Sequence, residues 1–476
     1  MNSNFSDIAV ILPELLLAVM GMALLIWGAF RGNRDFHVIT LTAAALMFAA
    51  AAVAIVSPTG GGFNNLFVND AFSRFCKVVI FGAGGVSALM AVTFSSDTFR
   101  RFEMPVLMIY AATGLSIMVS AQDLMTVYLG IELSSLSAYV LAAMRRDNLR
   151  ASEAGLKYFI LGALSSVILL YGMSLVYGYT GGTSFEAVAA GIGGDASFGL
   201  IIGLVFLIAG LAFKISAAPF HMWTPDVYQG APTPITAFLA TASKMGAFAL
   251  VIRVMMEPFA DITAEWRQIV ILLAIVSMVW GSLAAMWQTN IKRMMAYSSI
   301  GHMGFALVGV AAGSEAGVTG CLVYLATYVV MNLGAFALIL SMKRAGRPVE
   351  SITDLAGLSR NRLPMALALL VVFFSMAGIP PLAGFFGKFL VFTAAVEAGF
   401  WWLAVIGLVT SVLSAFYYIR IIKIAFFDEP TDDGEFDAAD VSLRAVYGLS
   451  AVFLLLFIAF VRFVVDWASA SASVFA

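Results

Sequence analysis

Residues 198–221 read FGLIIGLVFLIAGLAFKISAAPFH, an apolar run long enough to enter a bilayer that is interrupted by Lys214, Pro219 and His221. A charged side chain at membrane depth costs at least ~3 kcal/mol, so it is kept only where it faces a polar interior. A proline inside a helix removes one amide donor and frees a carbonyl, which lipid cannot satisfy but a protein-lined or hydrated cavity can. The stretch therefore predicts a membrane helix broken over a buried polar site. Two further lysines repeat the anomaly: Lys244 in ATASKMG at 240–246 and Lys388 in SMAGIPPLAGFFGKF at 375–389.

Composition supports this reading along the whole chain. Hydrophobic residues make up 62% and charged residues 11% of 476, against roughly 25% charged in a soluble domain. The expected fold class is an all-α polytopic membrane protein embedded in a lipid bilayer. A net charge of −2 argues against nucleic acid as a partner. Cys76 and Cys321 lie in separate apolar spans without ligand spacing and read as small core residues. The first apolar stretch follows Asp7 and contains Glu14, with no basic leader, so it reads as a retained helix rather than a signal peptide.

Spans of about 17–25 apolar residues number fourteen, near 8–28, 37–57, 74–94, 104–120, 123–144, 157–178, 198–218, 233–256, 265–287, 296–312, 318–342, 364–396, 400–424 and 446–466. Alternate loops then collect 18 of the 26 basic residues on one side, among them Arg100, Arg101, Arg145, Arg146, Lys292, Arg293 and Arg347. The other side has Arg74, Lys77, Arg253, Arg267 and Arg462, all near span ends where long side chains snorkel. Lys214, Lys244 and Lys388 are the three that remain. This bias puts both termini away from the cytoplasm.

The second break, Gly378-Ile-Pro380-Pro381-Leu-Ala-Gly384, lies 162 residues after the first, measured from Pro219 to Pro381. The same offset carries Pro105 at the start of the fourth span onto Arg267 at the start of the ninth. Five spans separate the copies, an odd number, so the second is inverted. Inverted repeats with matching broken helices mark many transporters, with the ion path near the breaks. The expected organisation is three N-terminal spans (1–103), a first five-helix unit (104–257), its inverted copy (258–427), and an acidic loop with a last helix (428–476).

Glu132 lies about nine residues inside its span, too deep to snorkel. With Lys214 it suits proton transfer: burial lowers a lysine's proton affinity and a nearby carboxylate raises it, so spacing can switch the site. Alternatives stand beside this. Glu132 could be half of a static ion pair, Lys214 its counter-ion, Lys244 a lysine satisfied by carbonyls, and Lys388 a side chain reaching for the nearer surface. His221 and His302 fit proton relays or structural hydrogen bonding. Asp226 reads as a helix cap, Arg253 and Arg462 as interfacial anchors, and the acidic run Asp428–Asp440 as a solvated loop.

The stretch KISAAPFHMWTPDVYQGAPTPITAFLATASKMG at 214–246 resembles the signature of the antiporter-like subunits of respiratory complex I, and 375–389 resembles the matching signature of their second half. With the spans, the resemblance covers nearly the whole chain. Lys388 and a tail of about ten residues after the last span are similar to the N-type branch of that family. The resemblance implies a proton-translocating subunit of a bacterial inner-membrane NADH-quinone oxidoreductase, both termini periplasmic, working beside other membrane subunits. In such a subunit Glu132 and Lys214 form a modulating pair, Lys244 is the central relay, Lys388 governs the other half-channel, and His221 and His302 assist. It also implies that NADH, FMN, iron–sulfur clusters and quinone belong to partner subunits. No four-cysteine cluster or glycine-rich phosphate loop contradicts this. A cation/proton antiporter subunit shares both signatures, and a membrane scaffold would need neither lysine to move a proton.

Overall fold

In lipid every backbone polar group must be satisfied within the chain, which leaves helices as the way for apolar runs of this length to cross. The computed structural model describes residues 7–94, 99–193, 197–430 and 434–476. Its main helices are α1 Leu12–Arg31, α2 Phe36–Val56, α3 Ala71–Val92, α4 Glu103–Ser120, α5 Leu124–Ala142, α6 Leu149–Thr180, α7 Phe198–Ile215, α8 Thr224–Gly230, α9 Thr233–Ala240, α10 Ala242–Met256, α11 Thr263–Met286, α12 Ile291–Ala312, α13 Glu315–Ser341, α14 Leu363–Ala377, α15 Ala383–Glu397, α16 Trp401–Phe427 and α17 Val441–Ala472. Two small hairpins pair Gly60–Gly62 with Phe67–Asn69 and Lys343–Arg344 with Arg347–Pro348.

Among the described residues, twelve segments are long and apolar enough to cross a membrane, where the sequence suggests fourteen. The difference lies at two places. Leu12–Val56 is one continuous helical segment by that measure, yet α1 and α2 are separate helices packed on each other across the 3-10 turn Gly32–Asp35. Leu363–Ala377 and Ala383–Glu397 are each too short to qualify because the chain is broken between them. The eighth expected span also differs, for it bends at Thr241 (φ −119°, ψ −81°) into α9 and α10. Thr241 Oγ1 bonds back to Ala237 O at 2.6 Å, a contact that competes with the regular ladder and bends helices.

Helix starts follow their caps. The carboxylates of Asp70 and Asp123 and the side chains of Asn148, Ser197, Asn290 and Ser314 each accept a first-turn amide, supplying partners that the helix itself lacks. Close crossings follow small residues: a Cβ on Gly114 of α4 would come within 2.6 Å of Ser134 N on α5. That contact holds the Glu132 turn against α4. At the centre, α10, α12 and α13 are almost wholly buried, while α1, α6, α16 and α17 turn large apolar side chains outward.

The loops sort onto two faces. The N-terminal face carries Asp7 against Gly62, the Phe67–Ala121 and Asp123–Ser184 bridges, Gln122 bonded to Glu257, and Phe475 stacked edge-on to Phe72. The opposite face carries the Asn290–Ser351 and Arg344–Phe436 bridges. Residues 431–433 of the acidic run lie outside the described residues.

Candidate functional site

The first expected break is present. Helix α7 ends in a left-handed residue, Ser216 (φ 60°), and the chain is non-helical until Thr224. Lys214, in the last turn of α7, is held where a cation complements the helix's carbonyl end. Its Nζ donates to Ser135 Oγ on α5 at 2.8 Å. Glu132 lies one turn before Ser135 on α5, and no ion pair between Glu132 and Lys214 closer than 4.0 Å is found among the described residues. Glu132 Oε1 is buried without a hydrogen-bond partner. Ser135 thus makes the direct contact with Lys214, with Glu132 one turn away on the same helix.

Lys244 begins α10, one turn past the Thr241 bend, and is 1% exposed. Its Nζ donates to Ser216 Oγ and sits 5.0 Å from the centre of the Trp223 ring. Ser216 also accepts from Thr224 Oγ1 at 2.6 Å, so the two ends of the break meet at this lysine's partner. Trp223 is fixed in turn by its indole bond to Phe213 O at 3.0 Å and by stacking on Tyr158. Among the described residues no ion pair involves Lys244. A cavity of about 20 Å³ lies between Lys214, Ser135, Trp223 and Ser243. That is room for about one water between the two lysines' surroundings.

Lys388, on α15, is 5% exposed and faces the second break, where α14 ends at Gly378 (φ +86°). Its Nζ donates to Ala377 O at 2.9 Å, Met376 O at 3.2 Å and Ser411 Oγ at 2.8 Å. It therefore caps the carbonyl end of α14 and does not reach for the surface. A ring face of Phe305 lies 4.8 Å away. Three residues before Phe305 on α12, His302 is buried between two tyrosines: Nδ1 meets Tyr324 Oη at 2.6 Å and Nε2 meets Tyr418 Oη at 3.0 Å. Tyr418 Oη also pairs with Ser298 Oγ, and Ser299 Oγ with Tyr328 Oη at 2.7 Å. His221 sits apart from this group, half-buried in the first break beside Trp280 and Tyr297, with Nδ1 buried and unpartnered.

Several other expectations need correction. Asp226 does not cap α8, which begins at Trp223 with no side-chain cap. Its carboxylate instead bridges Lys157 (2.7 Å) and Arg293. Arg253 is no interfacial anchor: it is wholly buried, bonded to both oxygens of Asp70, to Glu257 and to Val119 O. Lys77 does not snorkel, being wholly buried and paired with Glu14 at 2.8 Å. Lys292 is buried as well, donating to Gln229 O and Ala231 O at the end of α8. Lys244 and Lys388 are thus not the only buried cations. The others were hidden because their partners come from elements distant in sequence.

Residues 121–414 match the family described as NADH:quinone oxidoreductase/Mrp antiporter, transmembrane. NADH-quinone oxidoreductase subunit N of Parvibaculum lavamentivorans is 54% identical over 94% of this chain and 93% of its own. The same subunit of Rhodospirillum rubrum is 52% identical over 97% and 96%. The chain belongs to the family of subunit N of NADH-quinone oxidoreductase. A chain of respiratory complex I from Thermus thermophilus, solved with bound aureothin, superposes with a TM-score of 0.83 at 33% identity, covering 96% of this chain and 99% of that one. A chain of the Mrp complex from Dietzia sp. superposes at 0.85, but its 20% identity over 98% and 97% of the chains shows a shared fold alone.

The site residues that sequence reading missed are mostly hydroxyls: Ser135, Ser216, Thr224, Ser411, Tyr324 and Tyr418. One signal was available, since Ser411, Ser414 and Tyr418 recur at helical spacing in an otherwise apolar span.

Proposed function

We propose that this chain is a proton-translocating, antiporter-like membrane subunit of NADH-quinone oxidoreductase, moving protons through Glu132, Lys214, Lys244 and Lys388 while quinone is reduced elsewhere in the complex. The observation that carries the reading is that each lysine sits at a helix break or bend, Lys244 and Lys388 buried and Lys214 half-buried, bonded to neutral oxygens, Ser135, Ser216, or the Ala377 carbonyl with Ser411. A lysine so held keeps its proton only conditionally, because no fixed carboxylate in contact compensates its lost hydration. Glu132, with one buried oxygen free, changes the field at Lys214 when charge shifts beyond it. His302, bonded to Tyr324 and Tyr418, shares its helix with Phe305, whose ring faces Lys388, and His221 lines the first break.

Division into 104–257 and an inverted 258–427 follows from the matching breaks. The crowding of basic residues on the opposite face supports a periplasmic N-terminal face in a bacterial inner membrane. NADH, FMN, iron–sulfur clusters and quinone fall to partner subunits. The exposed apolar sides of α5 and α16, which carry Leu129, Leu136, Val409 and Val412, fit neighbouring membrane subunits.

Substituting Lys244→Met in the intact complex, reconstituted in liposomes, should lower the protons moved per NADH oxidised while the complex still assembles. An unchanged ratio would overturn the relay. Assembly with normal pumping would favour a scaffold.

A further inference from the structure

Outside both five-helix units, the first three helices enclose a second buried carboxylate–lysine couple. Glu14, in the first turn of α1, is 5% exposed, and Lys77, in the second turn of α3, is 0% exposed. Lys77 Nζ lies 2.8 Å from Glu14 Oε1, and Ser116 Oγ of α4 donates to the same oxygen. The ammonium also reaches Asn69 Oδ1 at 3.4 Å and faces the Phe67 ring at 4.7 Å, so the hairpin of the N-terminal face roofs the pair.

Two observations set this couple apart from a helix fastener. Glu14 Oε2 is buried and has no partner, a cost that a purely structural ion pair avoids by satisfying both oxygens. Ser120 Oγ, one turn beyond Ser116 on α4 and nearer the N-terminal face, is likewise buried and unpartnered. The free Glu14 oxygen and the free Ser120 hydroxyl, which follows by one turn the serine that bonds Glu14, form a polar seam of the kind that ordered water bridges. The seam they form runs toward Gln122 and Glu257 at the helix ends. Of the other charges of this corner, Asp70, Arg253 and Glu257 are paired with one another and Arg74 donates to Ser57 O, whereas Glu14 keeps a free oxygen. Both α3 and α4 pack on α10, the helix of Lys244.

We propose that Glu14 and Lys77 form a proton-holding site between Lys244 and the N-terminal face. Glu14 accepts a proton on Oε2, becoming a neutral acid beside the Lys77 ammonium, and returns it through the Ser120 seam to water at that face. The proposal rests on the proton-translocating reading above.

Its test is K77R and E14Q in the intact complex, each beside K244M, with protons per NADH and an infrared difference spectrum as readouts. K77R keeps the charge and the pairing, so a fastener would tolerate it. A proton site tuned by lysine would not. The expected result is normal assembly, a several-fold lower proton ratio in K77R, and a carboxylic-acid band in turnover that E14Q removes. Should E14Q fail to assemble, K77R decides alone. A wild-type ratio in K77R while K244M is impaired overturns this site and leaves the wider reading intact. A wild-type ratio in K244M overturns the wider reading.

Discussion

Tyr418 shows how one hydroxyl can be separated from the packing around it. Its ring is buried against Tyr417 and Phe373, whereas its oxygen joins Ser298 to His302 Nε2. Tyr418→Phe removes only that oxygen and takes a partner from Ser298 and His302, at a cost of about 1–3 kcal/mol, too little to dismantle a helix bundle of this size. The complex should therefore assemble with a normal melting temperature while its proton-to-NADH ratio falls by half or more. A full ratio in Tyr418→Phe would show that His302 passes no proton by this route. At the same scale, the three lysines were legible from sequence because each is a charge in an apolar run. Their serine and tyrosine partners were not, since a hydroxyl in a membrane helix is equally at home bonded to its own backbone, as Thr113 is to Ile109 O.

At the scale of elements, the positions of the helices were readable and their ends were not. The expected 37–57 and 400–424 are found as Phe36–Val56 and Trp401–Phe427. By contrast α6 runs from Leu149 to Thr180 and α17 to Ala472, well past the apolar cores at 157–178 and 446–466, because capped ends packed on neighbours stay helical outside the apolar stretch. The end of α3 offers a test. Burial alone would raise the Asp70 carboxyl, but the Arg253 guanidinium at 2.8 Å and the Ser73 amide outweigh it and hold it below the ordinary aspartate value. A depressed folded-state value means stability that is present above the unfolded aspartate range and lost as pH falls through the folded one. Asp70→Asn should thus lower the melting temperature at neutral pH. Its difference from the natural chain should shrink as the medium is taken below about pH 4. A pH-independent difference would assign the effect to packing and to the lost cap.

Across the whole molecule, Glu132 and Lys388 each stand near a helix that turns apolar side chains outward. Glu132 shares α5 with the exposed Leu129 and Leu136, and Lys388 touches α16, whose Val409 and Val412 are exposed. Between them lie two hydrogen-bonded groups: Thr224, Ser216 and Lys244 with Trp223 beneath that lysine, and His302 with Tyr324 and Tyr418, on the helix whose Phe305 ring faces Lys388. Groups acting in series through one chain give non-additive effects when two are removed, whereas independent groups add. Glu132→Gln and Lys388→Met should each depress the proton-to-NADH ratio, and the double variant should be no worse than the more impaired single one. The check is the ratio in liposomes for all three variants at matched assembly. A double variant whose loss equals the product of the single losses would mean that the two halves work as separate units, and the chain of hydroxyls between them would then be packing and not a conduit.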